Sequence, residues 1–147
     1  MKKLVTSATV ALIMLISVTA CKKSTAERTT SAYYISSTIS GGGSFMVTDT
    51  AAHAYMNGRE YLEIEGKSTA GAGINLTTLV YAGIGTLYID STASLTMASY
   101  VPAGGTGVAA VHGSITFTAN TPDIIGTYHF TGTDSSVYTG SFDVPHP

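Results

Sequence analysis

Short runs of alternating apolar and polar side chains, separated by clusters of Gly, Asn, Asp, Ser and Pro, fill this chain from about residue 32 to its end. In segment 60–65, Leu62 and Ile64 fall on one side of an extended chain and two glutamates fall on the other. No window in this region keeps the 3.6-residue apolar period of an amphipathic helix. A side-chain period of two, interrupted this often, predicts an all-β fold of short antiparallel strands.

The turn signals divide the region into strand-sized segments. Asn57-Gly58 is the clearest signal, because both residues tolerate the positive φ of a two-residue hairpin turn. Asp49 is open to a second interpretation, as the cap of one short helical turn. The predicted strands are 33–39, 44–48, 52–56, 60–65, 74–80, 86–89, 95–101, 108–117, 124–131 and 137–144.

About ten short strands must enclose one core while leaving few exposed edges. The leading expectation is an antiparallel β-sandwich, and the alternative is a flattened β-barrel. About 115 residues are enough to bury one core without disulfides. Alternation predicts that the inward-facing side chains include Leu62, Ile64, Ile74, Leu76, Val111, Ile115, Phe117, Ile124, Tyr128 and Phe130.

The first twenty residues have the order of a secretory signal peptide. The positive pair Lys2-Lys3 precedes the apolar run 10–16, and small residues then lead to Cys21. Polar residues interrupt the apolar stretch, and a membrane-spanning helix needs about 20 apolar residues. We therefore predict a cleaved signal peptide over residues 1–20.

The tetrapeptide Val18-Thr19-Ala20-Cys21 resembles the lipobox of bacterial lipoproteins. The resemblance implies a diacylglycerol on the Cys21 thiol, cleavage between Ala20 and Cys21, and acylation of the new amine. Cys21 is the single cysteine of the chain, which excludes an intramolecular disulfide. Two or three acyl chains form a durable membrane anchor, because each buried CH₂ contributes about 0.8 kcal/mol.

The region after the cysteine is polar and rich in Ser and Thr, which predicts a lipidated cysteine and flexible tether over 21–31. A single β-domain over 32–147 is expected to follow. Lys22 takes the place where, by resemblance to enterobacterial sorting, Asp would retain the protein in the inner membrane. The expected location is the bacterial cell envelope, at the outer membrane, with the periplasmic and surface sides both open.

The β-domain is acidic. From Thr29 onward its basic side chains are Arg59 and Lys67, against eight carboxylates, which gives a net charge of −6 with neutral histidines. Proteins that bind nucleic acids need clustered Lys and Arg to neutralise phosphates. The charge pattern therefore excludes nucleic acid as a partner, and contact with the membrane is expected through the lipid on Cys21.

Several glycine-bounded segments carry a family resemblance: 61–66, 85–89, 113–118, 125–130 and 140–144. In place and type they are similar to segments of a group of uncharacterised, β-rich lipoproteins of Bacteroidota. The resemblance implies lipoprotein status and a β-rich fold. It assigns no activity, cofactor or site residue.

The residues able to do chemistry are scattered. Zinc sites need three or four convergent ligands, and convergence of His112 and His129 on adjacent strands stays open. Glu63 and Glu65 share one strand face at about 7 Å, a spacing that suits the paired carboxylates of a glycosidase. The favoured interpretation is a solvated strand face, which also explains Glu60 nearby. Four histidines are present, without a His-x-His or His-x-x-x-His pair: His53, His112, His129 and His146.

Other chemical motifs are missing from the sequence, which has neither a Gly-x-Ser-x-Gly elbow nor a phosphate-binding loop. We predict no catalytic residues, metal or cofactor, and the ligand-binding residues are unknown. Some tyrosines form either an exposed aromatic platform or the margins of the core. They are Tyr33, Tyr34, Tyr55, Tyr61, Tyr81, Tyr88 and Tyr100.

The expected function is that of a non-enzymatic, lipid-anchored binding or accessory domain, whose partner is an envelope protein or a glycan. Two alternatives stay open. One is a lipocalin-like carrier of a small apolar ligand, which requires a closed sheet around a cavity. The other is a hydrolase whose site is assembled from scattered strands.

The anchor prediction is tested by Cys21→Ala, with Ser24→Ala as the matched control. We expect metabolic labelling with an alkyne fatty acid to disappear in Cys21→Ala, because the chain has no second thiol to accept the lipid. Labelling should persist in Ser24→Ala. Undiminished labelling of Cys21→Ala would contradict the anchor.

Overall fold

The computed structural model describes residues 32–93 and 95–147, and these residues form an all-β structure. Its regular elements are ten strands and one three-residue 3₁₀ turn, η1. They are β1 (Tyr34–Ile39), β2 (Ser44–Thr48), η1 (Asp49–Ala51), β3 (Ala52–Asn57), β4 (Tyr61–Lys67), β5 (Gly73–Thr78), β6 (Gly85–Asp90), β7 (Thr96–Val101), β8 (Val108–Ala119), β9 (Asp123–Gly132) and β10 (Val137–Pro145).

All ten strands belong to one antiparallel sheet, in the order β2-β1-β10-β9-β8-β7-β5-β4-β3, with β6 also paired to β8. The strands at the two ends of this path, β2 and β3, are joined through η1, and β3 packs against β10. The sheet therefore curls until it is nearly closed. The predicted antiparallel all-β fold is confirmed, and this sheet is consistent with both the sandwich and the flattened barrel.

Aromatic rings fill the space between the two halves of the curled sheet. Phe130 stacks on Tyr138 with ring centroids 4.8 Å apart, and Tyr138 in turn contacts Tyr100 at 5.3 Å. Phe117 packs edge-on against Phe142 at 5.7 Å. Aliphatic side chains from β4, β5 and β9 surround these rings, so the interior is a packed core.

Nine of the ten predicted inward-facing side chains are buried, and the prediction is wrong for Val111, which is 38% exposed. The β8–β9 register shifts between Ala110 and His112. Val111 is the extra residue of this β-bulge, and a bulge interrupts the alternation of side chains along its strand. Simple alternation counted back from Ile115 therefore places Val111 on the wrong face.

The hairpin at Asn57-Gly58 joins β3 and β4 as expected, but its predicted two-residue turn is wrong. Asn57 pairs with Tyr61 as the last ladder residue of β3, so the loop is 58–60. Of the two predicted turn residues, only Gly58 has a positive φ, which is 72°. The alternative prediction for Asp49 is partly right, since Asp49 lies inside the 3₁₀ turn with φ 57°, rather than capping it.

The hairpin conformation is tested by Gly58→Val, with Gly58→Asn as the matched control. Valine resists positive φ, so we expect Gly58→Val to lower the free energy of unfolding by about 1–2 kcal/mol. Asparagine tolerates the left-handed region, so its effect should be clearly smaller. Equal denaturation midpoints for the two variants would show that this turn does not require positive φ at Gly58.

Candidate functional site

One edge of β8 is shared by two other strands. β6 pairs with the C-terminal half of β8, and β7 pairs with its N-terminal end through Ser99↔Ala109 and Tyr100↔Val108. Both strands are antiparallel to β8 and therefore run parallel to each other along this edge. The β7–β8 ladder has only these two pairs, because the next backbone partner of β8 is the end of β6, where the Ser91 N–H donates to the Val111 carbonyl at 3.2 Å. The groove where β7 departs from β8 is called the β7–β8 groove.

The β7–β8 groove has a volume of about 460 Å³ and opens on the outer face of the sheet. β5 and β7 contribute polar side chains to it, β8 contributes small and apolar ones, and the turn after β6 lies at its mouth. The lining residues are Asn75, Thr77, Ile89, Asp90, Ser91, Thr96, Met97, Ala98, Ser99, Ala109, Ala110, Val111 and Thr133.

Exposed apolar side chains flank the groove. Met97 (43% exposed) and Val111 line its opposite sides. Leu95 lies two residues before Met97 and is also exposed, and its carbonyl accepts the backbone N–H of Leu79 at 2.8 Å. We call Leu79, Leu95, Met97 and Val111 the apolar rim. Contiguous exposed apolar side chains bordered by polar ones are typical of interaction surfaces.

A hydrogen-bond chain on the outer face fixes the polar side of the groove. The Thr77 hydroxyl donates to Asn75 Oδ1 (2.7 Å), and Asn75 Nδ2 donates to Glu63 Oε1 (2.5 Å). The Tyr61 hydroxyl donates to the second oxygen of Glu63, at 2.7 Å, and this hydrogen bond raises the pKa of Tyr61. The Asn75 amide is held at both ends, so its orientation toward the groove is set before any ligand arrives.

Asp90 lies at the mouth of the groove, where β6 ends. Its Oδ1 accepts hydrogen bonds from the hydroxyl (2.7 Å) and the backbone N–H (2.8 Å) of Thr92. Both bonds favour the ionised form, so the pKa of Asp90 is lower than its usual value. The mouth of the groove therefore carries a negative charge held in a defined turn.

The predicted carboxylate pair, Glu63 and Glu65, does share the outer face of β4. The two carboxylates nevertheless have different partners: Glu63 is bound by Tyr61 and Asn75, whereas Glu65 lies 3.7 Å from His53 Nε2. They therefore belong to two separate side-chain groups on this face.

His112 and His129 line one shallow depression on the outer face, together with Tyr88. His112 is the ladder partner of Asp90 on β6, and His129 is the partner of Ser114 on β8. Among residues 32–93 and 95–147, no three His, Cys, Asp or Glu side chains lie together in a metal-binding arrangement. His146 is separate from the others and contacts the Pro147 carbonyl through Nδ1 at 3.1 Å.

The tyrosines do not form one aromatic platform. Tyr81 is buried against Phe117, with ring centroids 4.9 Å apart. Tyr88, on β6, is 77% exposed, while Tyr55, on β3, is 55% exposed and packs edge-on against Tyr61. The exposed rings thus lie on strands far apart in the sheet order.

The predicted lipidation and cleavage residues, Cys21 and Ala20, lie outside the described residues. Within the part of the chain that is described, no helix has the length and apolar character needed to cross a membrane.

The groove itself was not predicted from the sequence, because it depends on two strands sharing one edge of β8 and on the bulge at Val111. A weak signal was present at Ala109 and Ala110, where two small residues open a segment otherwise rich in β-branched side chains. Comparison with family models, curated proteins and solved structures found no match to this chain.

The turn at the groove mouth is tested through the pKa of Asp90. We expect Thr92→Ala to raise this pKa toward its usual value, because the Thr92 hydroxyl bond is the largest cause of its depression. Ser91→Ala, a change at the neighbouring residue, should leave it unchanged. The measurement is an NMR titration of the Asp90 carboxyl carbon, and an equal shift in both variants would contradict the role given to Thr92.

Proposed function

We propose that the mature chain is a lipid-anchored, non-enzymatic binding module of the bacterial cell envelope, and that the β7–β8 groove is its binding surface. The lipobox at Val18–Cys21 supports the anchored part of this proposal, with the outer membrane as the location. The groove supports the binding part. The resemblance to β-rich Bacteroidota lipoproteins is in keeping with both parts.

The observation that carries the proposal is the groove that opens where β7 departs from β8. The β7–β8 ladder stops after two residue pairs, and the opening beyond it is flanked by exposed Met97 and Val111. Exposed apolar side chains at the sides of a groove are typical of interaction surfaces. An opening of this kind, with its polar wall already ordered, is suited to receive a ligand.

The packed interior favours surface binding over carriage of a small apolar ligand. A lipocalin-like carrier holds its ligand inside the barrel, whereas here stacked rings such as Phe130 and Tyr138 occupy that space. The hydrolase alternative has less support than the binding module, because both oxygens of Glu63 accept hydrogen bonds from Tyr61 and Asn75.

The proposal is tested by site-specific photo-crosslinking in the native host. A benzophenone amino acid replaces Met97 in the full-length protein, and the control carries it at Thr139, an exposed position on β10. We expect an adduct of discrete mass from position 97 and none from position 139.

A second variant separates specific from incidental crosslinking. Val111→Asp places a charge on the facing side of the groove, so it should abolish the adduct from position 97 without changing the amount of protein. An adduct that survives Val111→Asp, equal adducts from positions 97 and 139, or no adduct from position 97 would overturn the proposal.

A further inference from the structure

We infer that the shallow depression on the outer face of β6, β8 and β9 is a second binding site, and that its ligand is a short stretch of a neutral glycan. This inference goes beyond the proposed function, because the depression adjoins the β7–β8 groove, with Ile89 and Asp90 lining both, but opens over different strands. Three observations carry it: an exposed tyrosine ring, the polar side chains beside that ring, and the charge of the surface around them.

The first observation is the ring of Tyr88. Its side chain is 77% exposed, which is the largest exposed fraction among the large apolar and aromatic side chains of the described residues. In this part of the chain β6 has a ladder partner only in β8, so the ring stands at a margin of the sheet where a ligand can reach it. The C–H face of a pyranose ring packs well on an aromatic ring, and tyrosine loses little conformational freedom when it is covered.

The second observation is the set of hydrogen-bonding groups beside this ring. Tyr88 lies opposite Ser114 on β8, and Ser114 lies opposite His129 on β9. Two residues further along β6, Asp90 lies opposite His112. Ladder partners share one face of a sheet, and the two strand spacings from β6 to β9 together span about 10 Å. The five side chains therefore form two short rows on one small patch.

The polar members of this patch have groups free for a ligand. Within residues 32–93 and 95–147, the side chains of His112, Ser114 and His129 make no hydrogen bond. Asp90 uses Oδ1 for the hydrogen bonds from Thr92, which leaves Oδ2 free. Sugar hydroxyls donate and accept hydrogen bonds, and those that they donate to a carboxylate are among the stronger ones. The Thr92 turn holds this carboxylate in place before a ligand arrives.

The patch has a definite extent. On the row that follows toward the start of β6, the hydroxyls of Thr86 and Thr116 bind each other, with their oxygens 2.9 Å apart. Their hydrogen bond closes the patch on that side. The depression itself has a volume of about 620 Å³, and small-ligand sites commonly have volumes of about 300–1,000 Å³. This is room for a few sugar units.

The surroundings favour a glycan over a polypeptide. From Gly113 to Phe117, β8 is paired with β6 on one edge and with β9 on the other. A ligand lying over β8 therefore meets side chains, whereas strand addition needs unpaired backbone groups. Protein interfaces are centred on clusters of apolar anchors, but the depression offers the one exposed ring of Tyr88. A single ring among hydrogen-bonding groups suits a sugar.

The third observation is charge. Asp90 places a carboxylate in the depression. In the described part of the chain the basic side chains are Arg59, in the β3–β4 turn, and Lys67, at the end of β4, and neither lines the depression. A glycan with uronate or sulfate groups would meet a like charge without a lysine or arginine to pair with. The site therefore favours a neutral glycan.

The absence of tryptophan from the chain provides the test. Tyr88→Trp keeps a stacking ring in the site and makes it fluorescent, and Tyr55→Trp is the matched control at an exposed ring on β3. The purified full-length lipoprotein is kept in micelles of lauryldimethylamine oxide, a detergent without a sugar headgroup. The titrants are cellohexaose, laminarihexaose, mannohexaose and chitohexaose, with hexagalacturonic acid as the acidic comparison.

We expect at least one neutral hexasaccharide to change the fluorescence of Tyr88→Trp to saturation while leaving that of Tyr55→Trp unchanged. Hexagalacturonic acid should bind about tenfold more weakly or less, because of the Asp90 carboxylate. The inference would be overturned by the lack of a response to all four neutral sugars, by equal responses of the two variants, or by tighter binding of the acidic sugar.

Calorimetry on further variants assigns the roles of the side chains. Tyr88→Ala should weaken binding of the responding sugar by about tenfold or more, whereas Tyr55→Ala should leave it unchanged. Asp90→Asn should narrow the difference between neutral and acidic sugars. Wild-type affinity in Tyr88→Ala, or an unchanged difference in Asp90→Asn, would contradict the site.

A benzophenone amino acid at position 88, in the native host, separates a glycan from a protein ligand. We expect mass spectrometry to find no second polypeptide attached at this position, and finding one would refute the glycan. The crosslink from position 97 reports on the groove alone, so its loss would refute the proposed function while glycan binding at Tyr88 still stood.

Discussion

Backbone hydrogen bonding along β8 is the interaction on which the rest of this structure depends. One edge of β8 pairs with β9 for nearly its whole length, while the other edge pairs first with β7 and then with β6. At the change-over the end of β6 takes over the edge of β8, where the Ser91 N–H donates to the Val111 carbonyl, and β7 departs from β8. The β7–β8 groove, the apolar rim and the placement of Asp90 all follow from that arrangement.

The packed interior makes such an opening tolerable, because core contacts such as that of Tyr100 on β7 with Tyr138 on β10 join the two halves of the sheet. Neighbouring strands are also tied directly to one another. The Tyr128 hydroxyl crosses β10 to donate to the Ser36 carbonyl at 2.8 Å, and a Cβ at Gly140 would overlap both groups. Burial raises the pKa of Tyr128, so this hydroxyl stays protonated and remains a donor throughout the physiological pH range. Close contacts of this kind fix β1, β9 and β10 relative to one another.

Alternation and turn chemistry predicted the strands well, since each of the ten predicted strands lies within two residues of an observed one. Both signals lie within a few neighbouring residues. Alternation is pronounced wherever one face of a strand is buried. The groove depends instead on non-local facts: which strand pairs with which edge of β8, and the extra residue Val111. Nothing within a single strand encodes either fact. For the same reason, the sequence could not predict that His112 and His129 line one depression. Their proximity depends on the register of β8 against β9.

The sheet order also constrains how the chain can fold. β1, the first described strand, pairs with β10, the last, and Tyr34 lies opposite Asp143. The entropic cost of bringing β1 and β10 together grows only slowly with the number of residues between them, by about 0.6 kcal/mol per doubling. Yet β1 has its complete set of neighbours only when the C-terminal strand is present. Proteins dominated by such distant pairings fold slowly, so a chain emerging in N-to-C order holds an unfinished sheet edge until synthesis reaches β10.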